Sequence, residues 1–157
     1  MAVNTTPING SDVFLQLSED SGSSYDTAMF LTTANLSMSM DVRDISNKQS
    51  AGWREILEAQ KSWSLSADGF VTYSTVTDSD NTATLVDLLN SRTKIYVKFT
   101  IGTYNASTGG FTGNSGDAEY SGAAYISSIE QSSGVEDNLT YSVSFEGTGA
   151  LTKATIS

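Results

Sequence analysis

Cysteine and histidine are both absent from this chain of 157 residues. Without cysteine there is no disulfide and no thiolate nucleophile, and without histidine there is no Ser-His-Asp triad. Zinc sites of the usual kind need one or both of these residues, so they are excluded too. We therefore predict a protein that is not an enzyme and that holds no metal and no cofactor.

Basic residues are scarce. The chain has 8 Lys and Arg against 18 Asp and Glu, which gives a formal net charge of −10 and a pI of about 4.1. Such an excess repels phosphate and argues against a protein that grips a nucleic-acid backbone. No run of apolar residues is long enough to span a membrane, and the start of the chain lacks the pattern of a secretory signal.

The length suits a single domain over residues 1–157, with its polar first twelve residues (1–12) as a flexible N-terminal arm. Only one proline is present, and no composition shift marks a linker. Serine and threonine together number 44, whereas charged residues make up only 17%. A hydroxyl-rich chain with this much threonine indicates an all-β protein.

Alternating apolar and polar side chains indicate strands. Leu36, Met38 and Met40 alternate with polar neighbours, which predicts a half-buried strand. Strands are predicted at 13–17, 36–40, 62–67, 94–101, 120–133 and 139–146. Asp68 and Gly69 signal a turn or a bulge, and residues 70–75 either continue the preceding strand or pair with it.

One helix is predicted over residues 80–90, where Leu85, Leu88 and Leu89 form an apolar stripe and Asp80 or Asn81 can act as the cap. Two further segments lack this periodicity: a long inter-strand loop at about 42–61 and a glycine-rich hairpin loop at 102–117. The order of elements predicts a mainly β fold, an antiparallel β-sandwich or barrel-like sheet with one helix covering an end.

Two motifs for ligand binding fail on inspection. Residues 109–116 have the glycines of a phosphate loop, but no helix follows and the Gly-Lys-Ser/Thr element is missing. A calcium loop starting at Asp78 would need glycine at its sixth position, which is Ala83, and an acid at its twelfth, which is Leu89.

The charges are unevenly distributed along the chain. Residues 42–62 hold four of the eight basic residues, whereas residues 99–152 contain six acids and no base. One interpretation is a subunit whose basic loop meets an acidic face of its neighbour. The other is a solvated acidic surface, and charge alone leaves both open.

Residues 41–69 carry a family resemblance. They contain Gly52-Trp53-Arg54-Glu55 and, after a short spacer, the strand Lys61-Ser62-Trp63-Ser64-Leu65 that ends in Gly69. Together with the helix at 80–90, the strand at 94–101 and a Gly147-Thr148-Gly149 ending, this pattern resembles the phage major tail tube protein family. The similarity is to the type found in long non-contractile tails and gene-transfer-agent particles.

The resemblance implies a structural virion protein with a tail tube fold. Such subunits assemble as hexameric rings that stack into a negatively charged conduit for DNA, which passes without specific binding. It further implies partners at the tail terminator, the tape measure and the baseplate or tip, with assembly in the host cytoplasm and a final location in the virion tail. Because each added phosphate contact would slow DNA, an acidic, hydroxyl-rich lumen also fits the composition.

In this family the loop matching 42–61 reaches an adjacent subunit or ring. We expect its basic and apolar residues at that interface, because aromatic residues and arginine are favoured there. They are Arg43, Lys48, Trp53, Arg54, Ile56, Leu57 and Lys61. The alternative for Trp53 is that it folds back on its own sheet. Candidates for the lumen are Glu119, Glu130 and Glu146.

Two other functions remain open from the sequence. A carbohydrate-binding or adhesion β-sandwich of a phage or cell surface would present aromatic residues on one face, and the available tyrosines are Tyr96, Tyr104, Tyr120 and Tyr125. A hydrolase using a pair of the many carboxylates is the third choice.

Overall fold

A computed structural model describes residues 10, 13–28, 31–71, 79–80, 82–105, 110–135 and 137–157. Within them the chain forms nine strands and one helix. The elements are β1 (Val13–Ser18), β2 (Asp26–Ala28), β3 (Leu31–Asp44), β4 (Ile56–Phe70), β5 (Ser79–Asp80), α1 (Thr82–Ser91), β6 (Ile95–Asn105), β7 (Gly110–Gly113), β8 (Ala118–Ser132) and β9 (Thr140–Thr155).

The strands form one open sheet in the order β3-β4-β9-β8-β6-β1-β2-β5, and β7 pairs with β6 off this path. Every pairing is antiparallel except the short one between β2 and β5. Although β1 and β3 are not hydrogen-bonded neighbours, they come into contact, so the sheet curls around its inner face. The predicted mainly β fold with one helix is confirmed.

The inner face of the curled sheet holds the core. Alternate residues of β1, β4, β6, β8 and β9 point inward, as the period of two requires, and α1 adds Leu85 and Leu88. The most deeply buried include Leu15, Leu17, Leu65, Ile95, Val97 and Phe145. Burying an aliphatic or aromatic side chain stabilises by roughly 1.5–3 kcal/mol, so this cluster accounts for the stability of the body.

The helix starts slightly later than the sequence predicts. Thr82 is its first residue, while Asp80, one of the two cap candidates, lies in β5 opposite Ala28. Asn81, the other candidate, lies outside the described residues. The helix ends at Ser91, and Arg92 has a φ of 54°, a left-handed residue that closes the last turn.

Residues 42–61 are a loop only in their middle part. β3 continues to Asp44 and β4 begins at Ile56, so the segment is a long β-hairpin with a tip at residues 45–55. The tip is held by backbone hydrogen bonds from Ile45 to Glu55 and from Trp53 to Ser50, both 2.9 Å. We call residues 38–62, which extend beyond the body, the arm.

The remaining predicted segments also differ in detail. Asp68 and Gly69 form no turn but lie within β4, opposite a β-bulge or irregularity of β3 between Leu31 and Thr33, so the register supports the bulge alternative. Residues 102–117 are largely a hairpin, because β6 extends to Asn105 and pairs with β7. Residues 106–109, residues 72–75 and all of 1–12 except Gly10 lie outside the described part of the chain.

Candidate assembly surfaces

The arm exposes a concentration of large apolar side chains. Trp53 is 80% exposed, Met38 62%, Ile56 53% and Leu57 50%. Met40, Val42 and Ile45 are exposed as well. Single exposed apolar residues are ordinary, but seven of them within one two-stranded extension indicate an interaction surface.

The arm also has two free strand edges among the described residues. Pairing between β4 and β9 stops at Ser64 and Glu146, so beyond this point only β3 accompanies β4. A two-stranded hairpin on its own is marginally stable in water. The arm therefore has both the apolar surface and the unpaired backbone groups that a neighbouring chain can satisfy.

Trp53 does not fold back on its own sheet. It follows the tight turn at Ala51 and Gly52, whose φ angles are 50° and 86°, and it projects from the tip. Its exposure removes the alternative in which it joins the subunit core.

The charges of the arm are balanced. Arg43, Lys48, Arg54 and Lys61 are matched by Asp41, Asp44, Glu55 and Glu58. Arg54 already pairs with Asp44, since its Nε lies 3.2 Å from Oδ2. No ion pair forms at the other three basic residues within the described chain. The arm is thus not a basic loop; it is a nearly neutral segment of a strongly acidic protein.

Asp44 organises the tip of the arm. The Ser46 amide donates to its Oδ1 at 2.9 Å. Hydrogen bonding to Ser46, with a smaller contribution from Arg54, holds the pKa of the Asp44 carboxyl below its usual range. The carboxylate therefore loses its charge at a lower pH than an ordinary aspartate does.

The outer face of the four strands β3, β4, β9 and β8 is lined by small polar side chains. Residues directly opposite in neighbouring strands share a face, and the register places twelve of them in three rows. The rows are Ser37–Ser64–Glu146–Tyr125, Asn35–Ser66–Ser144–Ser128 and Thr33–Asp68–Ser142–Glu130. We call this surface the hydroxyl face, and none of its twelve residues is basic.

Two of the three acidic lumen candidates lie on the hydroxyl face. Glu130 and Glu146 are exposed members of its rows. Glu119 does not join them: it lies opposite Thr100 near the start of β8, with Oε1 3.3 Å from the Lys98 Nζ and both side chains only 22% exposed. The structure thus distinguishes two exposed glutamates, Glu130 and Glu146, from Glu119, whose charge is neutralised by Lys98.

Lys98 connects Glu119 to the loop before β2. Its Nζ lies 4.2 Å from the centroid of the Tyr25 ring. Partial burial, followed by the charge of Glu119, raises the pKa of Tyr25. These contacts form a structural clamp within the subunit.

The three candidate tyrosines whose side chains the structure describes do not all lie on one face of the sheet. Tyr120 pairs with Phe99 on one face of the sheet, whereas Tyr96 and Tyr125 belong to the other, and the side chain of Tyr104 lies outside the described part.

In the described residues no group of three acidic side chains could hold a metal. Nor does any helix in that part of the chain have the length and apolarity to cross a membrane.

Sequence reasoning missed the exposure of Met38 and Met40 and the position of Trp63 at the base of the arm. The methionines continue the alternation of Leu36 beyond the edge of the body, so the pattern of a half-buried strand persists where no core lies beneath it. Trp63 belongs to the strand predicted at 62–67, and the structure places it where the arm leaves the body.

The chain matches the family model of phage tail tube proteins over residues 7–153. It therefore belongs to the phage tail tube protein family and is a structural component of a virion tail. The resemblance noted in the sequence is confirmed. A comparison with curated protein sequences gave no significant match.

Solved structures share the fold. The tail of an empty gene transfer agent particle, determined with helical refinement and C6 symmetry, matches with a TM-score of 0.75 at 19% identity, over 95% of this chain and 100% of that one. A native gene transfer agent virion matches at 0.71 and 18%, over 95% and 100%. The SPP1 tail tube matches at 0.70 and 19%, over 96% of this chain and 81% of that one.

Proposed function

We propose that this protein is a major tail tube subunit that assembles into stacked hexameric rings, forming a conduit for DNA delivery. The observation that carries the proposal is the arm, a two-stranded extension that exposes seven large apolar side chains and has no core of its own. The C6 symmetry of the matched gene transfer agent tail supports six copies per ring.

The arm binds a second copy of the chain, which lies in the same ring or in the next ring. Trp53, Ile56 and Leu57 provide the apolar anchors. Arg43, Lys48 and Lys61, without ion pairs in the described chain, meet acids of the neighbour. Arg54 has a different role, because it is held by Asp44 and supports the tip that presents Trp53.

The hydroxyl face lines the lumen. Its serine and threonine side chains hydrogen-bond to water, while Glu130 and Glu146 repel phosphate. With no basic residue in its rows, this face gives DNA no place for counterion-releasing contacts. Glu119, neutralised by Lys98, contributes to subunit stability and not to the charge of the lumen.

Further partners follow from membership of the family. A tail terminator, a tape measure protein and a baseplate or tip protein contact the two ends and the inside of the tube. The protein performs this role without a cofactor and without catalysis, and it assembles in the host cytoplasm before its incorporation into the virion tail.

Negative-stain electron microscopy of the purified protein over a range of concentrations tests the proposal. We expect sixfold rings or tubes that grow with concentration. A strict monomer at every concentration would overturn it, and binding on a glycan array would then favour a carbohydrate-binding module.

A further inference from the structure

The sheet forks where the arm leaves the body. β4 pairs with β9 from Phe70 and Thr140 up to Ser64 and Glu146. The next residues, Trp63 and Gly147, mark the separation. Beyond them β4 stays with β3, opposite Met38, and β9 stays with β8, where Gly147 lies opposite Ala124.

Trp63 fills the fork from the inner face. It is only 5% exposed, and its ring lies directly on the backbone of two glycines. A Cβ atom at Gly122 would come within 2.6 Å of the Trp63 Cζ2, and one at Gly147 would overlap the indole. Both positions therefore need glycine because the ring occupies the space of a side chain.

The indole is also held by a hydrogen bond. Its Nε1 donates to the Gly149 carbonyl oxygen at 3.1 Å. Gly149 has a φ of 78°, and the register between β8 and β9 shifts here, so that Thr148 and Thr152 oppose Ala123 and Ser121. This bulge in β9 turns the carbonyl towards the ring, which is the usual effect of a bulge on local direction.

We infer that Trp63 is the positioning residue that sets the angle between the arm and the body. The arm is joined to the body by two strands only, and a free two-stranded ribbon twists and bends readily. The indole, fixed to β8 and β9 by packing and to Gly149 by its N–H, restrains that motion. Resting on the proposed function, the same restraint sets the spacing and twist between subunits.

A spin-label measurement on the monomer tests the restraint directly. The chain has no cysteine, so Gln49→Cys at the arm tip and Asp87→Cys on α1, both exposed, give one clean pair of labels. Double electron–electron resonance should give a narrow distance distribution. With Trp63→Phe, which keeps a ring but removes the N–H, we expect a distribution at least twice as wide. Trp53→Phe is the matched control and should leave it unchanged.

A smaller change at Trp63 tests the same restraint if Trp63→Phe does not fold. In a Trp53→Phe background, Trp63 is the only tryptophan left, and it can be replaced biosynthetically by benzothienylalanine, in which sulfur takes the place of the N–H. The same widening is expected. An unchanged distribution in the folded variant, or a broad distribution in the parent, would overturn the inference.

Tube geometry gives a second readout. We expect Trp63→Phe tubes to have an altered or heterogeneous helical twist by electron microscopy, and tubes with the parental twist would contradict the link to subunit spacing. If the parent itself forms no tubes, the proposed function fails, while the monomer distances still decide whether Trp63 fixes the arm.

Discussion

The two tryptophans of the chain occupy opposite environments only ten positions apart. Trp53 is exposed at the tip of the arm, whereas Trp63 is enclosed at its base by two glycines. The proposal therefore gives the two tryptophans different roles that can be separated experimentally: Trp53 would contact a neighbouring subunit, whereas Trp63 packs within its own subunit.

Trp53→Ala should leave a folded, β-rich monomer and abolish tubes. Its side chain contacts no core, so the melting temperature should stay within a few degrees of the parent, while an interface anchor typically loses 2 kcal/mol or more of binding, as a rough guide. Circular dichroism and electron microscopy check both parts. Unfolding of this variant would place Trp53 in the subunit core and contradict the proposal.

Arg54→Glu should also abolish tubes, but through the tip of the arm. It places a carboxylate next to Asp44 where the guanidinium was, and the turn that presents Trp53 loses its ion pair. Lys153→Glu, an identical change of charge at an exposed position of β9, is the control and should still form tubes. Equal loss in both variants would show that net charge, not the tip, is responsible.

The tip should lose the contribution of the Asp44 carboxylate only at a pH below the ordinary aspartate range. Because the pKa of Asp44 is lowered in the folded arm, its contribution to order is present above the unfolded pKa and is lost as the pH falls through the lower, folded value. The amide resonance of Ser46, which donates to Asp44, should therefore titrate below the ordinary aspartate range. In Asp44→Asn this titration should disappear; its persistence would assign it to another group.

At the scale of elements, a strand can be predicted from the sequence when one of its faces is buried in the core. Leu65, Val97 and Phe145 alternate with polar residues because one face of their strands is buried, so those strands were predictable. Met38 and Met40 follow the same rule without a core beneath them, and the hairpin at 42–44 and 56–61 lacks a clear period altogether. Its pairing is a non-local property that periodicity does not encode.

The exposure of the candidate assembly surfaces was predictable in part for the same reason. Trp53, Ile56 and Leu57 stand out as apolar residues in a polar segment. The separation of Glu119 from Glu130 and Glu146 was not predictable, because the Lys98 partner comes from a neighbouring strand and becomes visible only in the register of β6 with β8.

The arm should be removable without loss of the body. Ser39 and Ser62 are directly paired, with their hydroxyl groups 2.8 Å apart. Replacing residues 40–61 by Asn-Gly would close the hairpin with a tight type I′ turn. We expect a cooperative melt close to that of the parent and no tubes at any concentration. Tube formation by this variant would overturn the role of the arm.

At the scale of the whole molecule, the acidic residues differ in what a reversed charge should do. Glu130→Lys and Glu146→Lys lie on the hydroxyl face and should leave tubes intact while slowing DNA ejection, most strongly at low salt. Glu119→Lys should instead destabilise the subunit by about 1–2 kcal/mol, because it places a second cation beside Lys98 at a half-buried position.

Particles carrying each variant, with ejection followed over a range of salt concentrations, separate these effects. If ejection at low salt is unchanged for Glu130→Lys and Glu146→Lys, the hydroxyl face does not line the lumen. Loss of tubes in these two variants would place that face between subunits.

The arm is already paired as β-structure in a single chain, from the body to Asp44 and Ile56. Because its backbone is ordered before a neighbour arrives, joining costs little further conformational freedom. No folding step within the arm then delays polymerisation, and its speed follows from concentration and from the presence of a seed. Growth of the proposed tube should accordingly begin in the purified protein once its concentration is high enough, and added preformed rings should shorten any delay.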